Sequence, residues 1–213
     1  MKAAGVTEAA TLVWADEMRV GLLGQARRVW APRGVKVCQK VESKHEWVYL
    51  NLAVNGLAGV LCWEWTPNMK QDAIAGVVEA SKEKGVRAIV WDRAPSHRAQ
   101  KVADIGVTLI SLPPYSPQLN PAERVFEELR RQVEGHVYGS IERKKEAVEH
   151  ELQRLAADPE RVKSLAGWDW IREAVAQAQG TPHETESLAP VSLLNHSFSE
   201  RCVVFPIENT AFQ

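Results

Sequence analysis

The stretch VRAIVWD, residues 86–92, is a continuous apolar run that ends in an aspartate. Such a run is typical of a strand buried on both faces, as in a parallel sheet covered by helices. An amphipathic helix pattern closed by Gly85 precedes it, and a short helix and the strand VTLISLP (107–113) follow it. Helices that alternate with apolar strands in this way predict a parallel βα region.

Four β-rich segments lie upstream of this region: TLVWADE (11–17), VKVCQKV (35–41), EWVYLNLAVNG (46–56) and AGVLCWEW (58–65). They alternate or run apolar as strands do, and they predict an antiparallel meander. Downstream, Asn120 and Pro121 are typical of a helix start, and further helix patterns cover 140–157 and the residues after Asp158. We therefore expect an α/β fold with a mixed central sheet, antiparallel meander plus parallel strands, flanked by helices.

The composition is that of an ordinary globular protein, with 45% hydrophobic and 25% charged residues among 213. No apolar run approaches the roughly 18 residues of a membrane span, so we expect no membrane partner. The amino terminus lacks the pattern of a secretory signal, which predicts a cytoplasmic location. Three distant cysteines argue against a disulfide framework or a zinc site.

The charge distribution is more informative than the net charge of -1. Residues 181–213 hold four acids and one arginine, which leaves 25 of the 26 basic and 23 of the 27 acidic side chains in residues 1–180. The segment QARRVWAPRGVK (25–36) has cations and no acid around Trp30. Its cations are Arg27, Arg28, Arg33 and Lys36. Two interpretations stay open: an arm that contacts nucleic-acid phosphates, or a solvated hairpin turn at PRG.

Three acids stand where packing alone does not favour them. Asp16 follows the first strand, Asp92 ends the buried strand, and Glu123 lies in the first helical turn after the proline-rich stretch LPPYSPQLNP (112–121). Functional groups gather at the carboxyl ends of strands in open α/β sheets. If the first strand and the buried strand are parallel neighbours, the two aspartates emerge side by side. The prolines would then fix the backbone so that Glu123 reaches them.

Each of these acids also has a structural interpretation. Glu123 fits a capping box with Asn120, Asp92 fits a cap on the RAPSH turn, and Asp16 fits an exposed strand end. His97 fits a hydrogen-bonded structural histidine as well as a catalytic one. Clustered carboxylates, however, repel one another unless a cation lies among them. Mg²⁺ and Mn²⁺ prefer such oxygen ligands, and two such ions support phosphodiester chemistry.

An ordered set of motifs carries a family resemblance: WADE, RRVWAPRG, VWDRAPSH, LPPYSPQLNPAERVFEELRR and GWDWIREA. Over roughly residues 8–177 it resembles the catalytic domain of mariner-like bacterial insertion-sequence transposases, the Asp-Asp-Glu (DDE) group. The resemblance implies an RNase H-like fold, two divalent ions (Mg²⁺ or Mn²⁺), and cleavage and strand transfer of double-stranded DNA at transposon ends. A homodimer on paired ends is also implied.

The resemblance also assigns residues. Asp16, Asp92 and Glu123 match the catalytic, metal-binding triad position by position. We expect DNA contacts from a second set, which consists of Arg27, Arg28, Arg33, Lys36, Arg93, His97 and Arg124.

Three departures from the family pattern limit the resemblance. Arg93 stands where the family usually has Asn or a small residue, and the 31 positions from Asp92 to Glu123 are about one helical turn fewer than usual. The family's helix-turn-helix region has no counterpart before the first strand. We interpret 1–10 as a linker remnant, expect an upstream half in another reading frame, and assign 11–177 to the catalytic domain and 178–213 to a poorly ordered tail. A non-transposing RNase H-like nuclease and an inactive remnant that only binds DNA or a partner remain alternatives.

Overall fold

A mixed sheet lies at the centre of the protein. The computed structural model describes residues 11–24, 30–38 and 40–180. Five strands occur in that part of the chain: β1 (Leu12–Gly21), β2 (Trp47–Asn55), β3 (Val60–Thr66), β4 (Ala88–Trp91) and β5 (Thr108–Ser111). They lie in the order β3-β2-β1-β4-β5. Strands β1, β2 and β3 pair antiparallel, whereas β4 is parallel to β1 and β5 to β4. The predicted mixed sheet is confirmed.

The segment VKVCQKV (35–41), predicted as a strand, belongs to the long connection between β1 and β2. None of its described residues is in a strand, and Val35, Val37 and Val41 are each about half exposed. Backbone hydrogen bonds from Leu22 and Gly24 to residues beyond the segment prolong the β1–β2 ladder instead. The side of β1 that faces β2 is already paired from Trp14 to Gly21, so the alternating valines find no free partner on that side. The predicted strand is therefore wrong, and the meander has three strands.

Six α-helices are described, and they cover both faces of the sheet. They are α1 (Gln71–Glu83), α2 (Gln100–Ala103), α3 (Ala122–Val133), α4 (Ile141–Ala156), α5 (Pro159–Ala166) and α6 (Asp169–Gly180). Helices α1 and α2 pack on one face, and α3 to α6 pack on the other. None of these described helices combines the length and the apolar character that a membrane span requires.

Side-chain alternation along β1 separates the two cores. Leu12, Trp14 and Met18 belong to the core shared with α3 to α6, whereas Val13 belongs to the core shared with α1 and α2. Phe126 of α3 is 1% exposed on the first face, and burial of such a side chain stabilises a fold by about 1.5–3 kcal/mol. A change of one position along β1 therefore changes the face on which a side chain acts.

Two glycines of the β2–β3 turn lie directly against α5. A Cβ added at Gly56 would stand 2.2 Å from the carbonyl oxygen of Ala166, and one at Gly59 would stand 2.4 Å from that of Pro159. Gly59 also has a φ of +72°, which side chains rarely adopt. The turn therefore meets α5 backbone to backbone.

The ends of the chain bear on the predicted domain limits. Residues 1–10, interpreted as a linker remnant, lie outside the described residues. Of the predicted tail, residues 178–180 continue α6, and 181–213 lie outside the described residues. The sheet and its described helices lie within residues 12–180, and the domain limits of 11 and 177 stay a prediction.

Candidate active site

Parallel pairing of β1 with β4 brings the two predicted aspartates to one edge of the sheet. The register pairs Trp14 with Val90, so that Asp16 and Asp92, each two residues further along, stand at the same level. The sequence suggested that Asp16 ends its strand, and this prediction is wrong. Strand β1 continues to Gly21 because residues 14–21 pair with β2 along their whole length. Asp16 thus projects from the middle of β1, beside the end of the shorter strand β4.

Asn120 connects the proline-rich stretch to Asp16. Its side-chain amide donates to the carbonyl oxygen of Ala15 at 2.9 Å and to Oδ2 of Asp16 at 3.3 Å. Its Oδ1 accepts from the N–H of Ala122 at 3.2 Å, at the start of α3. Asn120 is 3% exposed, so this amide is a buried bridge from β1 to α3. The prolines therefore lead to a residue that fixes α3 against Asp16.

Glu123 lies in the first turn of α3, where it is loosely held. Its side chain is 39% exposed, and the cation paired with it is Arg130, at 3.8 Å. The predicted capping box is not formed, because the N–H of Asn120 donates to the carbonyl oxygen of Pro117 instead. The charge of Glu123 nevertheless acts on Asp16. Glu123 is therefore close enough to act on Asp16, and within the described part of the chain its side chain is held by one long ion pair only.

Asp16 is the buried acid of the cluster. Burial raises its pKa from 3.8 to about 7, and the negative charges of Glu17, Glu123 and Asp92 raise it in the same direction. A hydrogen bond at 2.8 Å from the N–H of Glu17 lowers it. Crowded carboxylates that resist ionisation are the arrangement that a bound cation relieves.

Asp92 is fixed by the segment that follows it. Its Oδ1 accepts from the N–H of Ala94 at 2.9 Å and from Nδ1 of His97 at 2.8 Å. The hydrogen bond from His97 is the largest effect on Asp92 and lowers the pKa of that carboxyl, against the effect of burial. The turn interpretation of Asp92 is thus correct for its backbone contact, but the other carboxylate oxygen is left available, since the side chain is 62% exposed.

His97 lies behind Asp92 and does not face solvent. It is 1% exposed, its ring stacks on that of Trp91 with centroids 4.0 Å apart, and its Nε2 lies 2.9 Å from Oε1 of Glu17. Burial opposes its charge, but the hydrogen bonds to Asp92 and Glu17 outweigh that effect and raise its pKa to about 9. The DNA contact that we predicted for His97 is therefore wrong, because both ring nitrogens are occupied inside the protein.

The remaining residues of the predicted DNA-binding set are on the surface or undescribed. Arg33 and Lys36 are exposed at a turn closed by a hydrogen bond from Val35 N–H to Pro32 O, so the hairpin-turn interpretation fits their backbone. Arg93 is exposed, and its Nε donates to the carbonyl oxygen of Leu112 at 3.2 Å. Arg124 is exposed and pairs with Glu127. Arg27 and Arg28 lie outside the described residues.

The three acids have the chemistry of a metal site, but their side chains stand apart. Among the described residues, no three Asp, Glu, His or Cys side chains stand close enough to hold one ion together. The donors nevertheless fit Mg²⁺ or Mn²⁺ chemically, since all three are carboxylates, Asp16 is crowded, and Asp92 is half open to solvent. A rotation of the Glu123 side chain, which has only a 3.8 Å pairing to lose, would change the spacing.

Sequence reasoning missed two residues of this site. Asn120 was interpreted as a helix start alone, although the site uses its side chain to bind Asp16. Glu17 was treated as a neighbour of Asp16, although strand alternation places it on the opposite face, beside His97. The alternation itself was the available signal, because consecutive acids in a strand cannot share a face.

Comparisons with known proteins identify the family and agree with the fold. A family model described as DDE superfamily endonuclease matches residues 11–145, which include all three acids. No curated protein matches the chain.

Solved structures of Mos1 transposase complexes resemble the chain over most of its length. A paired-end complex with the left transposon end has a TM-score of 0.59 at 17% identity, covering 82% of this chain and 56% of that one. The mariner Mos1 paired-end complex with Mg has a TM-score of 0.60 at 19% identity, with coverages of 83% and 57%. The complex with Mn scores 0.57 at 13% identity, with 83% and 58%. This chain spans less than two thirds of those proteins, and the likeness confirms the RNase H-like fold.

Proposed function

The chain belongs to the DDE superfamily endonucleases, and from that premise we propose that it is the catalytic domain of a transposase. It cuts double-stranded DNA at transposon ends and transfers the freed strand to target DNA. The observation that carries the proposal is the meeting of Asp16 and Asp92 at one sheet edge with the charge of Glu123 acting on Asp16. The paired-end and strand-transfer complexes of Mos1 support the same substrate class.

Two divalent ions, Mg²⁺ or Mn²⁺, are assigned to Asp16, Asp92 and Glu123. When bound, such ions stabilise the attacking and leaving oxygens of an in-line phosphoryl displacement. The chain's own residues prepare the site. Asn120 holds the Asp16 carboxylate against α3, and the 94–97 segment holds Asp92. Asp16, with its pKa of about 7, gives up its proton when a cation binds.

We assign contacts with DNA phosphates to exposed cationic side chains. Arg93 and Arg124 flank the acids in sequence, and Arg33 and Lys36 project from the β1–β2 connection. Arg27 and Arg28 belong to the same proposed set. Binding through such contacts weakens steeply with salt, by roughly one power of salt concentration for each phosphate neutralised. A homodimer on paired ends and a cytoplasmic location remain predictions from the sequence.

Nicking of supercoiled plasmid DNA in Mn²⁺ tests the proposed activity. The variant Asp16→Asn removes the buried acid, and Asp72→Asn is the matched control, because Asp72 is 76% exposed on α1 and pairs with Lys101 at the surface. We expect Asp16→Asn to lose nicking and Asp72→Asn to keep it. Undiminished nicking by folded Asp16→Asn would overturn the proposal.

An inactive, DNA-binding remnant is the second candidate. It is favoured by the spacing of the acids, since no three metal-binding side chains of the described residues are gathered around one point. The two candidates differ in their response to metal, because a ligand of the native state must raise its stability. If the folded chain binds DNA but Mn²⁺ does not raise its melting temperature, the chain is the inactive remnant.

A further inference from the structure

We infer that Glu17 and His97 form a positioning relay for Asp92, in which Glu17 orients the buried imidazole and the imidazole orients the carboxylate. The relay reaches Asp92 from the side of the sheet opposite to Asp16. This inference rests on the proposed function, because the relay matters only if Asp92 binds a cation.

The relay follows from the alternation of side chains along β1. Asp16 projects towards α3, and Glu17, one residue later, projects towards the face covered by α1 and α2. On that second face the ring of His97 lies flat on Trp91, the last residue of β4, at an interplanar angle of 8°. The end of β4 thus carries Asp92 with the imidazole directly behind it.

Both ring nitrogens of His97 face carboxylate oxygens. The distances are 2.8 Å from Nδ1 to Oδ1 of Asp92 and 2.9 Å from Nε2 to Oε1 of Glu17. Ionised carboxylates only accept hydrogen bonds, so the ring donates on both sides. Rotation of the imidazole would break two charge-assisted bonds and the stack on Trp91. The ring therefore has one favoured orientation, and it passes that orientation to Asp92.

Burial makes the arrangement costly unless it is complete. His97 is 1% exposed and the side chain of Glu17 is 12% exposed, whereas that of Asp92 is 62% exposed. A buried imidazolium without its partners would be strongly unfavourable. The two inner members of the relay are thus shielded from water, and the outer member presents its second oxygen to solvent, where a cation can bind.

Two amide substitutions separate positioning from packing. The amide nitrogen of His97→Asn occupies the place of Nδ1 and can still donate to Asp92. That of His97→Gln occupies the place of Nε2 and can donate only to Glu17. We expect His97→Gln to bind Mn²⁺ about 10–100-fold more weakly than the wild type, the usual loss when an outer partner of a metal ligand is removed. We expect His97→Asn to stay closer to the wild type. A role in packing alone predicts no such order, since both variants lose the stack on Trp91.

Variants of Glu17 keep the relay testable if both histidine variants fail to fold. Glu17→Gln keeps an oxygen that can accept from Nε2, so we expect near-normal Mn²⁺ affinity. Glu17→Ala removes that acceptor and should weaken Mn²⁺ binding in the same direction as His97→Gln. Equal Mn²⁺ affinity in Glu17→Ala and the wild type would overturn the relay.

A measurement without metal separates failure of the relay from failure of the proposed function. In the metal-free wild-type chain, NMR should show two imidazole N–H protons of His97 that exchange slowly with water. Glu17→Ala should lose the protection of one of them. Absent protection in the wild type overturns the relay, whatever the chain does with DNA. Protected protons in a wild-type chain that binds no Mn²⁺ overturn the proposed function, and with it the relay's role in metal binding, while the hydrogen-bond geometry stands.

Discussion

Asp92 and Glu123 both act on Asp16, but the protein holds them in opposite ways. Asp92 accepts hydrogen bonds from Ala94 and His97 at 2.9 and 2.8 Å, whereas Glu123 has a single cation at 3.8 Å. Asp92 is held by the turn that follows it and by the buried ring of His97. Glu123 lies on the first turn of α3, and Asn120 fixes that helix rather than the Glu123 side chain. We therefore expect Asp16 and Asp92 to be prepared, that is, in position before a cation binds. Glu123 is the adjustable acid, whose side chain moves to complete the site.

The largest expected effect is the loss of Mn²⁺ stabilisation when Asp92, one of the two prepared acids, is replaced. Mn²⁺ at about 100 times its dissociation constant should raise the free energy of unfolding of the wild type by about 2.7 kcal/mol. We expect Asp92→Asn to lose all of that gain, and Glu123→Gln to keep part of it, because Asp16 and Asp92 lie together without Glu123. Thermal unfolding with and without Mn²⁺ measures the gain. Equal loss in the two variants would contradict the division between prepared and adjustable acids.

A smaller effect is expected from pH, which acts on Asp92 through His97. The folded pKa of His97 is raised from 6.5 to about 9 by its two facing acids, Asp92 and Glu17. A raised pKa means that the native state binds the proton more tightly. Its contribution to stability is therefore complete below about pH 6.5 and is lost as the pH rises to about 9.

Metal-free unfolding curves measure this contribution. Asp16 also has a raised pKa, and its contribution to stability is lost between pH 3.8 and about 7. The pH ranges over which Asp16 and His97 lose their contributions therefore meet only near pH 7. We expect the stability of the wild type to fall between pH 7 and 9, and that of His97→Gln to fall less over the same range. Parallel curves for the two proteins would rule out His97 as the source.

The smallest expected effect comes from replacing Arg130, the cation that pairs with the adjustable acid Glu123. Arg130→Met removes the cation near Glu123 but keeps an apolar side chain near Phe126, whose ring lies 5.8 Å from the Arg130 guanidinium. Since the pair is about 39% exposed and loosely spaced, we expect the free energy of unfolding to change by less than about 1 kcal/mol. Mn²⁺ affinity should stay the same or rise slightly. The matched control is Arg154→Met, which breaks a surface pair with Glu151 on α4. A large loss of Mn²⁺ affinity in Arg130→Met alone would show that Glu123 depends on Arg130 for its position.

Much of the site could be predicted from the sequence because it depends on chain order and on the end of one buried strand. The apolar run before Asp92 identifies a buried strand, and its pairing with β1 follows from ordinary sheet topology. The length of β1 could not be predicted, since it depends on pairing with β2, which lies 26 residues further along the chain. The failed strand at 35–41 has the same cause: alternation shows that a segment could pair, and not whether an edge is available.

The roles of His97, Glu17 and Asn120 were beyond the sequence for a different reason. Each depends on a contact between side chains or backbone groups 80 to 105 positions apart. A histidine five residues after an aspartate is compatible with a surface contact or a buried one. Only the stack on Trp91 and the position of Glu17 decide between them.

The glycine contacts of the β2–β3 turn determine how short a working version of this protein can be made. The family match stops at residue 145, yet Gly56 and Gly59 are shaped to receive Ala166 and Pro159 of α5. A fragment trimmed to the matched region would leave that turn facing water and would strip Leu152, Leu155 and Ile171 from the core on the α3 side of the sheet. Any minimal fragment intended for biochemistry should therefore extend through α6.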